Sequence, residues 1–495
     1  MSASSTPHVV IIGGGLAGLS AAQSLSDAVA ASNQQAVASA DPYRLKITLL
    51  ESKRSTGGRA GSFSDSISGE SVDYCQHVAM GCCTNFISLL KRFDMLDDWK
   101  RYRDLVFHYP GHSPSPFSPS RWLPAPLHLA ACVGKLGYLN RNQKREVRSG
   151  MWRLMRTRSA SLAQRTAKDW LQSIGQSQST IQAFWDVILV SALGEETDVV
   201  SMQAARKVLI DGFAAAQGAS DVLVPCLPLS EMFGERLPQK LESLGVELRC
   251  QAAVKRIEIA SPTGPVVELV SGEELLADQV IVAVPWYRLS SLFDPDDAEV
   301  AIPNVHGCTR LDASPISGIH LWLDRPIMTN DHAVMVGTTS QWVFRQPLAS
   351  TVSPSEPSEV SGHYHQVVIS ASSGQSQSLG KQALLDTVLD ELRNEFPMGR
   401  DFKLLRHRIV TDPNSVFSVS PATESIRGNI RPALPWLHLA GDWTPTGWPS
   451  TMESAVISGR MAANSVARRL SDSLVEIPVD PGLPWGWLAK RVIRR

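Results

Sequence analysis

Cysteine is scarce in this chain, and the seven present are scattered: Cys75, Cys82, Cys83, Cys132, Cys226, Cys250 and Cys308. None are spaced Cys-x-x-Cys, so neither a structural zinc site nor a redox dithiol is expected, and no metal is. An odd, dispersed set suits reduced thiols in a cytoplasmic compartment better than a disulfide framework. The adjacent Cys82 and Cys83 read as small buried thiols. Charge of one sign is also lacking. Lys and Arg number 47 against 48 Asp and Glu, for a net charge of −1. That balance gives no reason to expect nucleic acid as a partner. No run of about eighteen apolar residues occurs, so no membrane-spanning helix is expected. Met1 to His8 lacks the basic stretch and apolar run of a secretory signal, and none is expected. No internal repeat is evident. The 495 residues are enough for two or three domains with real cores.

Two glycine clusters with an acid between them stand out. The first is Val9-Val10-Ile11-Ile12-Gly13-Gly14-Gly15-Leu16-Ala17-Gly18-Leu19. An apolar strand runs into a tight glycine turn, and a Leu/Ala-rich helix follows. The helix N-terminus offers free N–H groups and a positive dipole end to a pyrophosphate. Gly13 permits the turn, Gly15 lets a phosphate approach the backbone, and Gly18 lets helix and strand pack closely. A second strand, Lys46 to Leu50, ends at Glu51, whose carboxylate suits ribose hydroxyls. Glu51 lies later than the usual ~20 residues beyond such a motif. The Ala/Ser/Gln-rich stretch Ala28 to Pro42 reads as an insertion between helix and strand, a lengthened surface connection of low cost. The second glycine cluster, Gly57-Gly58-Arg59-Ala60-Gly61, follows closely.

Further along, 85–205 has mostly helical patterning, as in Phe86 to Phe93 and Ile181 to Leu189. Between 110 and 126 a Pro/Ser-rich connection reads as irregular. Strand patterns occupy 246–284 and close on the fully apolar Val280 to Val284. Residues 305–370 alternate in places, as in Ile319 to Leu323, and suggest a second sheet. The Ser/Pro/Glu-rich segment 350–362 reads as a surface loop. A last strand, Trp436 to Asp442, runs into a helix. The nucleotide-binding sheet is therefore expected from three separated pieces, 1–84, 206–290 and 416–470. A discontinuous substrate domain of mixed sheet and helices is expected from 85–205 and 291–415, with a C-terminal tail at 471–495. The fold class is α/β, a Rossmann-like dinucleotide-binding domain plus that second domain.

Taken together, the first glycine turn, Gly57-Gly58-Arg59 and the Gly441-Asp442 strand-to-helix element resemble the flavin amine oxidase and phytoene desaturase superfamily over nearly the whole chain. Three segments narrow the resemblance. They are Asp73 to Cys82 with its Asp-x-Gly-x-His-like pattern, Arg121 to Leu129, and Ala440-Gly441-Asp442-Trp443-Thr444-Pro445-Thr446-Gly447-Trp448-Pro449-Ser450-Thr451-Met452-Glu453. They are similar to the squalene-associated FAD-dependent desaturase group, whose defining activity is hydroxysqualene dehydroxylation in hopanoid synthesis. Cys75 stands where the family pattern has glycine.

The resemblance implies a GR2-type flavoprotein fold and non-covalent FAD. It places Gly13, Gly15, Leu16, Ala17, Gly18, Glu51, Ser52, Gly58, Arg59, Ala60, Gln76, Val254, Gly441, Asp442, Thr451 and Met452 at the cofactor. It also implies a C30 isoprenoid substrate, hydroxysqualene, whose allylic alcohol would be reduced to squalene by hydride from reduced flavin N5. Loss of the hydroxyl needs a proton donor, and the allylic cation left behind needs an apolar, aromatic lining. Thirteen tryptophans are available for such a lining. His77 is the candidate acid; the alternative is a structural histidine bonding backbone beside the cofactor. Asp73 has the same two readings, with a turn or helix cap the simpler one. Asp442 is expected near ribityl hydroxyls or the pyrophosphate. Met452 opens a helix whose N–H groups suit negative charge on a reduced flavin. Trp443 and Trp448 read equally as pocket lining or core. Rival readings are an isoprenoid desaturase or isomerase, an amine oxidase, and a non-catalytic membrane flavoprotein. An electron-donor reductase is an expected partner.

Residues 131–170 carry ten Lys/Arg against two acids, with Leu, Trp and Met interleaved. The tail Leu483 to Arg495 combines Trp485 and Trp487 with basic residues. Both patterns suit an anionic membrane surface as well as an ordinary solvated face. The expected location is cytoplasmic, peripheral on the inner face of the cell membrane.

Overall fold

The computed structural model describes residues 6–35, 42–67, 69–259, 261, 264–345, 362–372 and 375–494. The loop expected over 350–362 lies outside them, apart from Gly362. Five parallel strands form the nucleotide-binding sheet, in the order Val246–Arg249, Lys46–Leu50, His8–Ile12, Gln279–Val282, Leu437–Leu439. Val9, Val10, Ile11 and Val280 to Val282 are fully buried. Layers cover both faces of a parallel sheet, so its strands read as continuous apolar runs. Helices Leu16–Gln35 and Met452–Leu470 pack against each other on one face, where Ser20 Oγ donates to Val456 O at 2.9 Å. An antiparallel meander of Val254–Glu258, Val266–Leu269 and Glu274–Leu276 completes this part.

The expected insertion from Ala28 to Pro42 is corrected for 28–35, while 36–41 lie outside the described residues. Residues 28–35 continue the first helix, with Ala28 and Ser32 buried. Ser32 Oγ donates to Ala28 O at 2.8 Å and accepts from Val475 N–H at 2.8 Å, so this turn is part of the packed structure. Ala and Gln sustain a helix without an apolar stripe, and the composition hid the continuation.

A seven-stranded sheet runs Leu404–Phe417, Ala313–Leu323, His363–Ile369, Trp342–Arg345, His332–Met335, Leu105–His108, Ser115–Phe117. Its strands alternate faces. Ile319, Leu321 and Leu323 pack beneath helix Gln375–Glu395 with Leu385, Val388 and Leu392. The intervening His320 and Trp322 therefore point to the opposite face. One expectation is corrected. The Pro/Ser-rich connection holds a strand, Ser115–Phe117, with Pro116 opposite Val106. An edge strand tolerates proline because one of its sides needs no N–H donor. The segment 85–205 is mostly helical, as expected, and also holds three short strands, Trp99–Tyr102, Leu105–His108 and Ser115–Phe117. They are too short to show a period, and Trp99–Tyr102 and Leu105–His108 pair with strands far along the chain, at 222–225 and 334–335. Helices Arg141–Arg156, Ala167–Ser173, Asp186–Leu193 and Met202–Leu209 share one core with this sheet, around Trp185, Leu189, Phe344 and Phe417.

Candidate functional site

The C-terminal ends of the parallel strands define the site. Gly13 follows the first strand with φ +110°, and its N–H donates to Leu50 O at 2.8 Å. The second glycine loop comes up against the first. Gly57 N–H donates to Gly14 O at 2.8 Å, and a Cβ on Gly58 would lie 3.1 Å from Gly15 Cα. A Cβ on Gly15 itself would meet only Gly58 Cα, at 4.0 Å. The two loops thus present bare backbone at one point, beside the N-terminus of the helix that Leu16 and Ala17 open. This is the donor set and clearance that a pyrophosphate requires. Gly18 allows the close packing behind it, since its Cβ would sit 1.9 Å from Gly13 O.

Glu51 is buried and already engaged. Its Oε2 accepts from Gly14 N–H at 2.8 Å, and its Oε1 accepts from Lys53 N–H at 2.8 Å and from Ser52 Oγ at 3.1 Å. The carboxylate clamps the glycine turn and keeps lone pairs for ribose hydroxyls. Ala252 N–H donates to Glu51 O at 2.9 Å, which ties the start of the meander, and Val254 two residues on, to the same corner.

Arg59 and Asp442, 383 positions apart, form an ion pair. Arg59 also donates to Ser415 O at 2.8 Å, and its guanidinium lies 5.8 Å from the Trp286 ring centroid. The other Asp442 oxygen accepts from Ser450 Oγ. Both carboxylate oxygens are therefore held by protein, where ribityl hydroxyls or the pyrophosphate were expected nearby. Thr451 caps the helix Met452–Leu470 by accepting from Ser454 N–H at 3.1 Å, so Met452 is its first residue. Gly441 N–H donates to Ser458 Oγ at 2.8 Å. Trp443 is a core residue, bonded to Val284 O at 2.9 Å, whereas Trp448 is half-buried with Lys207 Nζ 4.4 Å from its ring centroid.

The loop 441–450 is organised by a residue that the sequence did not mark. Arg427, on helix Pro421–Asn429, is 2% exposed. Its Nε donates to Trp443 O at 2.8 Å, and Nη2 donates to Thr444 O at 2.7 Å, Trp448 O at 3.1 Å and Asp442 O at 3.3 Å. Nη1 bonds Glu424 Oε1 at 2.8 Å, and the guanidinium lies over Phe417. Only a planar five-donor fork satisfies so many converging carbonyls. Nothing local in Pro421 to Asn429 signals this role, because the acceptors arrive from a later part of the chain.

On the other side lies the segment 73–77. Asp73 Oδ1 accepts from Ser62 Oγ at 2.6 Å and from Leu229 N–H at 2.8 Å, at the start of a helical turn, which makes it a cap. Burial raises its pKa to about 6 against those hydrogen bonds. Burial pushes the Cys75 thiol up to about 12. Gln76 is buried and donates to His77 O at 3.1 Å. His77 Nδ1–H donates to Cys75 O at 2.9 Å. Burial lowers the His77 pKa, that hydrogen bond offsets part of the effect, and the Arg59 charge lowers it further. Burial and the Arg59 charge thus favour the neutral imidazole, and with Nδ1–H given to Cys75 O its free ring nitrogen is Nε2. The strand Ala313–Leu323 backs this segment, since a Cβ on Gly318 would lie 2.8 Å from Tyr74 O. The candidate residues thus gather at one end of the parallel sheet, with Arg59 between the glycine loops, Asp442 and His77. Among the described residues no group of three or more His, Cys, Asp or Glu could hold a metal ion.

The profile of the family described as flavin containing amine oxidoreductase matches residues 16–467. The chain is 24% identical over 485 residues to the 15-cis-phytoene desaturase of Solanum lycopersicum, covering 93% of this chain and 78% of that protein. It is likewise 24% identical over 475 residues to the hydroxysqualene dehydroxylase of Zymomonas mobilis, covering 92% and 97%. Among solved structures, wild-type putrescine oxidase bound to putrescine superimposes with a TM-score of 0.64 at 15% identity, over 93% of this chain and 98% of that one. The glycine cradle, the Glu51 clamp and the capped helix at Met452 suit the FAD that this family carries. The chain belongs to the flavin-containing amine oxidoreductase family and is an FAD-dependent oxidoreductase.

Proposed function

We propose that this oxidoreductase acts on a long isoprenoid chain, and that its reaction is the reductive dehydroxylation of hydroxysqualene to squalene. The observation that carries the reading is an apolar wall beside Arg59. Helix Asp186–Leu193 ends at Gly194, whose carbonyl accepts from Ser314 Oγ and whose Cβ would lie 2.8 Å from Val416 Cγ2. Val416 adjoins Ser415, the residue that Arg59 bonds. Val187, Ile188 and Ala192 on this helix, with Trp342 and Val368, stay partly exposed while packing on the core. Trp342 Nε1–H donates to Ser191 Oγ at 3.0 Å and locks sheet to helix. Such a surface suits a hydrocarbon chain and excludes the water that would quench an allylic cation.

Bound FAD supplies the hydride for the carbon that loses oxygen. The chain's own residues do the rest. The glycine cradle would hold the pyrophosphate and Glu51 the ribose, and the helix N-terminus at Met452 would favour negative charge beside it. With Nδ1–H held by Cys75 O, a neutral His77 would offer Nε2 as an acceptor, and it could donate to a departing hydroxyl only after taking up a proton, which acid pH favours. A second reading, desaturation of a phytoene-like polyene, is supported by relatives such as the phytoene desaturases of tomato and of Synechococcus elongatus, the latter covered to 96% of its length. Redox direction separates the two. Incubating the FAD-loaded protein with hydroxysqualene and a flavin reductant, then extracting with hexane for mass spectrometry, should yield squalene. Phytoene desaturation with a quinone acceptor, and no turnover of hydroxysqualene, would replace the first reading by the second.

A further inference from the structure

We infer that one face of the helical layer is a docking surface for an anionic phospholipid bilayer, assembled from three separated parts of the chain. The first is helix Arg141–Arg156, whose exposed stripe repeats at one face: Arg141, Arg145, Arg148 and Trp152. With Lys144 and Ser149 these side chains line an open groove of about 520 Å³. None of its four cations forms an ion pair among the described residues, so their charge is available. Glu146, the acid on this helix, is turned away and accepts from Ser177 N–H at 2.9 Å. The second part is the loop carrying Trp122, Leu123 and Leu127, all exposed, Trp122 to 93%. The third is the C-terminal helix Trp487–Val492, with Trp487 61% exposed and the Arg491 guanidinium over its ring.

The contacts join these parts into one surface. Gly486 N–H donates to Ala215 O at 2.9 Å, and a Cβ there would lie 3.2 Å from Ala125 in the tryptophan loop. At its other end, Arg494 N–H donates to Met155 O at 2.8 Å, and Arg156 donates to Val492 O at 3.2 Å. Lys144 Nζ donates to Gly134 O at 2.9 Å, which ties the basic helix to the short helix after Leu127. The tail is thus docked, with Ala489 and Ile493 buried and Trp487 outward. Exposed tryptophans flanked by unpaired cations match the headgroup boundary of an anionic bilayer in both polarity and charge. A soluble acidic partner would meet the cations and leave Trp122 and Trp487 in water. The inference does not depend on which isoprenoid is the substrate.

The test is sedimentation of the FAD-loaded full chain with sucrose-loaded vesicles of phosphatidylcholine alone or mixed with phosphatidylglycerol. Strong partition onto the mixed vesicles, weakened by salt, is expected. Arg141→Glu/Arg145→Glu/Arg148→Glu should lower it by about a hundredfold or more, at roughly fivefold per charge. Trp122→Ser/Trp487→Ser should lower it about tenfold. Both variants should keep the parent flavin absorbance spectrum, which reports that they fold. Equal partition onto both vesicle types, or unchanged partition in either variant, would overturn the inference. So would capture on acidic polypeptide beads without vesicle binding, which would assign the face to a soluble polyanion.

Discussion

Replacing Arg427 by lysine should loosen the cofactor while keeping the charge. The guanidinium satisfies four backbone carbonyls, at Asp442, Trp443, Thr444 and Trp448, from one buried position. Asp442 O keeps Ser454 Oγ at 2.9 Å and Thr444 O keeps Thr446 N–H at 2.8 Å, but a lysine ammonium, a single point with three donors, cannot also reach both Trp443 O and Trp448 O, so at least one of them loses its partner. Each buried acceptor left without a partner costs about 1–3 kcal/mol, and breaking a buried charged network costs roughly 3–5 kcal/mol in all. Part of that cost falls on the loop alone, which can move away from its carbonyl-bonded form. That movement displaces Asp442 from Arg59 and shifts the capped start of helix Met452–Leu470. FAD affinity should then fall by at least about tenfold, which corresponds to about 1.4 kcal/mol. Fluorescence titration of the apoprotein with FAD measures this, and flavin-monitored melting reports the accompanying loss of stability. Arg427→Gln, which drops the charge as well, should be worse than lysine in both assays. A lysine variant with parental FAD affinity and melting temperature would refute the argument that this fork organises the loop.

Glu51→Ala strands the Gly14 and Lys53 N–H groups, so it should weaken FAD binding by roughly 1–3 kcal/mol and destabilise the apoprotein as well; unchanged FAD retention would remove Glu51 from the site. Acid precipitation should release yellow flavin into the supernatant, because no cysteine occurs after Cys308 to form a C-terminal flavin linkage; flavin that stays in the pellet would show a covalent bond. If His77 donates the proton, turnover should rise as pH falls, with a midpoint below the ordinary imidazole value of 6.5, because burial depresses its pKa. In that case His77→Ala should keep FAD and lose about 10²–10⁴ in kcat; a fully active, pH-flat variant would leave His77 only its hydrogen bond to Cys75. His320, His365 and His438 are each lowered to about 4, first by burial. Their folded pKa values lie below the unfolded one, so the neutral form is favoured. That stability is full above pH 6.5 and is lost as pH falls toward 4, by roughly 3 kcal/mol for each histidine. Denaturant melts at pH 7 and pH 4.5 should therefore differ clearly, and equal midpoints would contradict the burial of these rings.

Much of the nucleotide-binding half was legible because its signals are short-range. A buried parallel strand is apolar throughout, a glycine turn demands glycine, and an acid one residue past the second strand reaches the turn it clamps. Val9 to Gly18 and Lys46 to Glu51 carry all of that within two short stretches. Helices such as Thr84–Arg92 were legible for the same reason, since their apolar period lies within the element. The edge strand Ser115–Phe117 was not, because proline reads as a break unless the strand's position in the sheet is known. Nor was the helical extension from Ala28, whose composition suits both loop and helix until the Ser32 contact with Val475 selects one.

The sequence by itself determined the family, the glycine turn and the acid that clamps it, because those depend on backbone conformation and spacing along one stretch of chain. The tertiary structure alone decided how these residues are electrically arranged. It paired Arg59 with Asp442, tied the His77 ring to the Cys75 carbonyl and lowered its pKa, and set Arg427 under four carbonyls. Each of those outcomes turns on burial, and most turn on partners brought together from distant parts of the chain. Burial and partner are products of packing, which no local pattern encodes.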